Sequence, residues 1–253
     1  MIHSILIIGQ SNMAGRGLIS EAKPLSSMGG RIKVLRNGRW QNIYRPVNPD
    51  RIFSGTCLVE SFARRYAEDH EGVTMGVIPA ADGGTSLNQW AVGSLLFDNA
   101  VNVARLAMRT SNLVAILWHQ GEADCSPQLY PLYYDKVSAI MKELRRQLGA
   151  EDVPIIVGGL GDFLADRKES PNLANYVYVN NALQKYAIDT PFTAFASAEG
   201  LTSNDDNLHF NAASLDEFGI RYYNAFLTLE DKTKVYVEKP NMDDAFRTDM
   251  ELL

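Results

Sequence analysis

The sequence predicts an α/β protein, a three-layer α/β/α sandwich built on a five-stranded parallel sheet. Two observations carry this. First, five short, apolar, β-type runs at 4–9, 73–79, 113–118, 153–157 and 192–196 alternate with helical patterns. Such alternation implies βαβ units, whose crossovers lay helices on both faces of a parallel sheet. Second, four of the five runs end in polar clusters, and a parallel sheet collects those ends along one edge, where ligands bind.

Each element has a local reason. Ile5 to Ile8 form a β-branched run that stops at Gly9 and opens into Gln10-Ser11-Asn12-Met13. Residues 31–43 hold Asn37-Gly38 between two short β-type runs, the signal of a hairpin. Residues 45–55 contain two prolines and read as an irregular loop. Leu58, Phe62 and Tyr66 recur at four-residue spacing, so 56–69 is helical, with Ser54 or Thr56 as candidate cap. The second core strand, 73–79, runs into Asp82-Gly83-Gly84-Thr85-Ser86. Helices are predicted over 94–108, 130–148, 174–186 and 211–227. The third strand leads into His119-Gln120-Gly121-Glu122-Ala123-Asp124, and the fifth into Asp205-Asp206-Asn207-Leu208-His209.

The chain has 253 residues, 46% of them hydrophobic and 21% charged, an ordinary globular balance. It shows no internal repeat and no low-complexity linker. We therefore read 1–253 as one domain, with 232–253 as a peripheral tail. A net charge of −6 argues against non-specific nucleic-acid binding, which needs a basic face. Arg145-Arg146 on a helix reads as a solvated face. Residues 2–8 are too short to span a membrane and lack the flanks of a signal peptide, so a cytoplasmic location is expected. Cys57 and Cys125 make no disulfide framework.

The strand-end clusters hold the groups for acyl transfer. Ser11 is the candidate nucleophile, and a serine hydroxyl needs an adjacent base. A helix starting there would offer free N–H groups to an oxyanion. A helix cap is the alternative role for this serine. His209 is the candidate base. Asp206, three residues earlier, can face it in a turn and orient its ring as the third member of a triad does. The alternative is an acidic cap beside an exposed histidine. Gly84 and Gln120 are candidate oxyanion donors, one through its backbone and the other through its amide. Glu122 and Asp124 add two acids that can orient the histidine, bind substrate hydroxyls or cap the loop. Trp90 and Trp118 read as core or pocket wall. Arg16, Gln89 and Trp90 are candidate pocket lining.

Four motifs together resemble the SGNH/GDSL hydrolase superfamily, in its carbohydrate acetylesterase branch of acetylxylan esterases and sialate O-acetylesterase-like proteins. They are Gly9-Gln10-Ser11-Asn12-Met13, Gly83-Gly84-Thr85-Ser86 with Trp90, His119-Gln120-Gly121-Glu122-Ala123-Asp124, and Asp206-Asn207-Leu208-His209. The resemblance implies a flavodoxin-like sheet of strand order 2-1-3-4-5. It also implies Ser11, His209 and Asp206 as triad and an oxyanion hole from the Ser11 and Gly84 N–H groups and the Gln120 side chain. Glu122 is implied as a possible acid or substrate contact. Gln120 departs from the asparagine that many superfamily members carry there. The activity implied is removal of O-acetyl groups from a small saccharide through an acetyl-serine, with no cofactor or metal.

Two rival readings follow from the same residues. His119, Glu122, Asp124, Asp206 and His209 can be read as metal ligands, although their spacing matches no closed zinc pattern. A non-catalytic flavodoxin-like binding module would use Gly15-Arg16-Gly17 as a phosphate cradle. Ser20 stands where a dinucleotide fingerprint has glycine, and no acid marks a ribose site.

Overall fold

The strand β1 (Ile2–Gly9) is the middle of the sheet, and from His3 onward it is buried on both faces. Ile5, Leu6, Ile7 and Ile8 are all buried. Continuous apolar runs of this kind suit a strand covered on both sides. β1 pairs in parallel with β4 (Thr74–Pro79) on one side and β5 (Asn112–His119) on the other. β6 (Ile155–Gly158) and β7 (Thr193–Ala196) extend the sheet beyond β5, also in parallel. This computed structural model describes residues 1–240.

The five predicted strands stand in the predicted order. The sheet, however, has seven strands, in the order β3-β2-β4-β1-β5-β6-β7. The two additions are the predicted hairpin, β2 (Ile32–Arg36) and β3 (Arg39–Asn42). β2 adds to β4 in parallel, and β3 folds back antiparallel as the edge. Asn37 and Gly38 both take positive φ, +49° and +78°, the turn whose twist matches a hairpin. Val34 is fully buried and Trp40 nearly so, and the Trp40 indole donates to Thr110 Oγ1 at 2.9 Å. That burial is why the hairpin joins the sheet.

Helices line the sheet in two groups. α2 (Val59–Asp69) packs against α6 (Ala212–Leu227), and these two also meet β4, β6 and β7. α3 (Leu95–Met108), α4 (Tyr133–Leu148) and α5 (Tyr176–Asp189) pack in series. Each sits close to its predicted range. The predicted cap of α2 is not observed. Its N-cap is Leu58, without a side-chain bond, and the Ser54 hydroxyl instead donates to Asp50 at 2.7 Å. Arg145 is also not on a solvated face. It is buried, and its guanidinium donates to the carbonyls of Val153, Pro191 and Phe192. Arg146 is exposed and pairs with Glu143.

The described part of the tail, 232–240, crosses the edge of the sheet opposite the strand C-termini. Asn112 donates to Val237 O at 2.9 Å, and Lys239 donates to Met108 O at 2.7 Å. The rest of the predicted tail lies outside the described residues. Both cysteines are free and buried. Among the described residues no helix is long and apolar enough to cross a membrane.

Close helix–sheet packing at β6 makes one prediction. A Cβ at Gly158 would stand 1.9 Å from the Tyr222 hydroxyl, which itself donates to Trp118 O at 2.8 Å. Gly158→Ala should destabilise the fold by about 1–3 kcal/mol, the usual cost of overpacking, read as a lower denaturant midpoint at unchanged m-value.

Candidate active site

Ser11 is placed by the way β1 ends. Gly9 has φ +130°, and a Cβ there would lie 2.0 Å from His119 O. Only glycine lets β1 hug the end of β5 so closely. The Gln10 N–H donates to His119 O at 2.9 Å, and the chain turns at once into the single helical turn α1 (Ser11–Ala14). Gln10, not Ser11, is the N-cap, and no side chain caps the turn. The Ser11 hydroxyl instead stands 3.0 Å from His209 Nε2.

His209 and Asp206 meet in a tight turn before α6. Asp206 Oδ1 accepts the N–H groups of Leu208 and His209, each at 2.9 Å. Asn207 supplies the positive φ of +47°, which asparagine tolerates better than most residues. This leaves Asp206 Oδ2 2.6 Å from His209 Nδ1. Burial raises the Asp206 pKa, but the His209 and Leu208 hydrogen bonds outweigh it and hold the carboxyl below its usual range. The Arg167 guanidinium donates to the Asp206 carbonyl. Serine, histidine and carboxylate thus form one hydrogen-bonded series, the arrangement that activates a hydroxyl.

A second layer joins the two loops. Asn12 Oδ1 accepts the Phe210 N–H at 3.0 Å, and its Nδ2 donates to Leu208 O at 3.1 Å and Glu122 Oε1 at 2.5 Å. One amide therefore holds the backbone on both sides of His209. Glu122 does not touch His209. It lies 3.4 Å from His119 Nε2, and His119 is fully buried between Phe210 and Phe218. Burial raises the Glu122 pKa, but the His119 and Asn12 hydrogen bonds bring it below the usual carboxylate range.

The loop after β4 is clamped from two sides. Asp50 takes both Arg16 guanidinium nitrogens, at 3.0 and 2.6 Å, and also accepts the Gly83 N–H at 2.8 Å. Arg51 bridges Asp82 Oδ1 and Gly83 O. Behind the loop, Asp124 accepts the Leu87 N–H at 2.9 Å and the Gln120 amide at 2.5 Å. Gln120 also donates to Thr85 O and Gln10 Oε1. A Cβ at Gly83 would lie 3.4 Å from Ser11 Cβ, so the loop sits beside the serine. The Gly84 N–H makes no hydrogen bond among the described residues.

These loops enclose a cleft of about 530 Å³ that includes Ser11, Gly84, Glu122 and His209. Arg16 lines it. Trp90 does not: it is buried in the core, edge-on to Trp118, with its indole on Thr85 Oγ1. Gln89 is exposed and accepts the Ser86 N–H, away from the cleft. Gln120 is fully buried and does not line the cleft either. Cys125 does, and burial pushes its thiol pKa up. Among the described residues no three His, Cys, Asp or Glu side chains are arranged to hold a metal. The supposed phosphate cradle is occupied from within, since the N–H groups of Gly15 and Gly17 go to Ser11 O and Thr56 O.

Residues 2–228 match the family described as carbohydrate esterase, sialic acid-specific acetylesterase. The chain belongs to that family. It is by membership a carboxylic ester hydrolase. A relative from Arabidopsis thaliana, named a probable carbohydrate esterase, is 26% identical over 252 residues, covering 88% of this chain and 89% of the relative. A crystal structure of an Arabidopsis thaliana protein superposes with a TM-score of 0.80 at 23% identity, covering 89% of this chain and 98% of the other. The structure of NanS gives 0.68 at 16% identity, covering 90% and 97%. The crystal structure of a carbohydrate acetylesterase from Xanthomonas citri gives 0.64 at 17%, covering 88% and 55%. At such identities these structural likenesses are likenesses of fold.

The side chains that hold the site make two predictions. Asn12→Ala frees the backbone on both sides of His209, so kcat should fall roughly 10–10²-fold with KM little changed, the cost of slight misplacement. Steady-state kinetics on a chromogenic ester would read this. The carboxyls of Asp50, Glu122 and Asp206 are all held below their ordinary values. Each therefore contributes stability that is complete above the unfolded pKa of about 4 and is lost as pH falls through the lower folded value. Asp124, raised by burial, opposes this trend. Denaturant midpoints should fall steeply below about pH 4, and less steeply in Glu122→Gln.

Proposed function

We propose that this chain is a serine esterase that removes O-acetyl groups from carbohydrates through an acetyl-serine intermediate. The observation that carries the reading is the unbroken hydrogen-bonded series Ser11–His209–Asp206 on the cleft wall. In this reading Ser11 Oγ attacks the ester carbonyl while His209 Nε2 takes its proton. Asp206 keeps the proton on Nδ1 and stabilises the imidazolium that forms. The sugar oxygen leaves with the proton from His209. Water then attacks the acetyl-serine, giving its proton to His209, and acetate departs as Ser11 is reprotonated.

The oxyanion needs donors aimed at where its charge develops. The N–H groups of Ser11 and Gly84 are two. Gln120 is a poor third, because its amide nitrogen is spent on Asp124, Thr85 and Gln10. We assign the third donor to Gln10. Its Oε1 accepts the N–H groups of Gly121 and Ala123, at 3.3 and 3.5 Å. Backbone donors fix which end of an amide faces them, so the Gln10 nitrogen is left for the cleft that Gln10 lines. The carbohydrate leaving group is supported by the family match. The acetyl group is supported by the same match and by the likeness to the Xanthomonas citri carbohydrate acetylesterase.

The test uses p-nitrophenyl acetate, a serine-directed phosphonate and two variants. Ser11→Ala should lower turnover by at least ~10³-fold, and the phosphonate adduct should map to Ser11 by peptide mass. Gln10→Glu keeps the bonds to Gly121 and Ala123 but replaces the donor with a carboxylate. It should cost roughly 10²–10³ in kcat. Full activity in Ser11→Ala would sink the mechanism, and full activity in Gln10→Glu would sink the third donor.

A further inference from the structure

His209 is not confined to the cleft that holds Ser11. His209 also lines a second groove of about 650 Å³, formed in addition by Leu18, Glu21, Phe53, Ser203 and Asp205. Three side chains, Arg16, Phe53 and His209, line both spaces. Each volume lies within the ~300–1,000 Å³ usual for a small-ligand site. The reacting histidine therefore lies between two sites rather than at the bottom of one.

The chemistry of the second groove is that of a neutral polyol. Phe53 is 66% exposed and Leu18 51%. Both line the groove, so their apolar surface is open to a ligand lying in it. The Arg16 guanidinium lies 5.2 Å from the centre of the Phe53 ring, and so braces it. The apolar C–H face of a pyranose ring suits such an aromatic platform, while its hydroxyls need acceptors and donors. The carboxylates of Glu21 and Asp205 make no hydrogen bond or ion pair among the described residues, so their acceptor sites are open. Arg16, the only cation lining the groove among the described residues, is committed to Asp50. Unpaired acids without a free cation favour hydroxyl donors and disfavour an anionic chain.

We infer that the second groove, joined to the first at Phe53 and His209, holds neutral sugar units attached to the acetylated one, so that the preferred substrate is an oligosaccharide chain rather than a lone monosaccharide. This rests on the proposed esterase reading. Binding at a remote subsite raises kcat/KM by adding interactions that free monosaccharides cannot make.

The experiment compares acetylated xylotetraose, mannotetraose and cellotetraose with the acetylated methyl glycoside of each corresponding monosaccharide. Acetate release is followed on the full chain, and p-nitrophenyl acetate turnover is read on every preparation. For at least one sugar the tetramer should exceed the monomer in kcat/KM by about tenfold. Phe53→Ala should bring that ratio near one, and Phe53→Trp, which keeps an aromatic platform, should retain it. If p-nitrophenyl acetate is hydrolysed but no tetramer exceeds its monomer by more than about twofold, the inference is overturned while the esterase reading stands. A tetramer preference that Phe53→Ala leaves intact would also overturn it, because the chain would then be bound elsewhere. Loss of p-nitrophenyl acetate turnover in the parent protein would instead fail the esterase reading itself.

Discussion

One asparagine amide joins the two loops on which the site depends. Ser11 and His209 are 198 residues apart, and their hydrogen bond needs both loops to arrive in register. Asn12 provides that register by binding Leu208 O, the Phe210 N–H and Glu122 together. A buried amide of this kind is stable only when its partners are all present, because a lost partner leaves a desolvated polar group. Glu122 and His119 are thus part of the support for the serine–histidine pair, although neither touches Ser11 or His209. The Asn12 amide and the His119 ring converge on Glu122 Oε1, and their hydrogen bonds hold its carboxyl below the usual range despite burial.

The same logic extends to the loop after β4. Gly84 takes φ +77° at the rim, and nothing in its own sequence would hold it still. Its order comes from outside, through the Arg16–Asp50 pair in front and the Gln120–Asp124 pair behind. Arg16 and Asp50 are both nearly buried, and a bidentate geometry is what offsets the desolvation of such a pair. The residues of the third-strand motif therefore divide their work. Glu122 supports the histidine loop, and Gln120 with Asp124 supports the glycine loop.

Much of this was legible in the sequence, for physical reasons. The β1 run, the helical spacings and the Asn37-Gly38 turn are local signals, and the elements they mark form where expected. The meeting of Ser11, His209 and Asp206 was readable because it depends on strand ends and a three-residue turn. Three things were not readable. The hairpin extends the sheet because Trp40 packs over Gly76 of β4 and reaches Thr110, a tertiary fact. Trp90 and Gln120 are buried, and residue type alone does not tell a wall from a core. Asp50 and Arg51 lie in a proline-bearing loop without periodicity, and their partners are about 30 residues away. Asn12, by contrast, stood within the first motif, and a buried amide next to the nucleophile was a signal that could have been followed.

The two outer strands have a consequence for how copies of this chain behave in a crowded solution. An open sheet edge is a template for pairing with another molecule. β3 has four residues, of which Arg39, Gln41 and Asn42 are exposed and only Trp40 is buried. β7 is equally short, and the Arg145 guanidinium occupies carbonyls at its start. Neither edge offers the long, flat, apolar ladder on which aggregation and strand exchange feed. Among the described residues, both rims of the sheet are thus blunted against strand addition by a second copy.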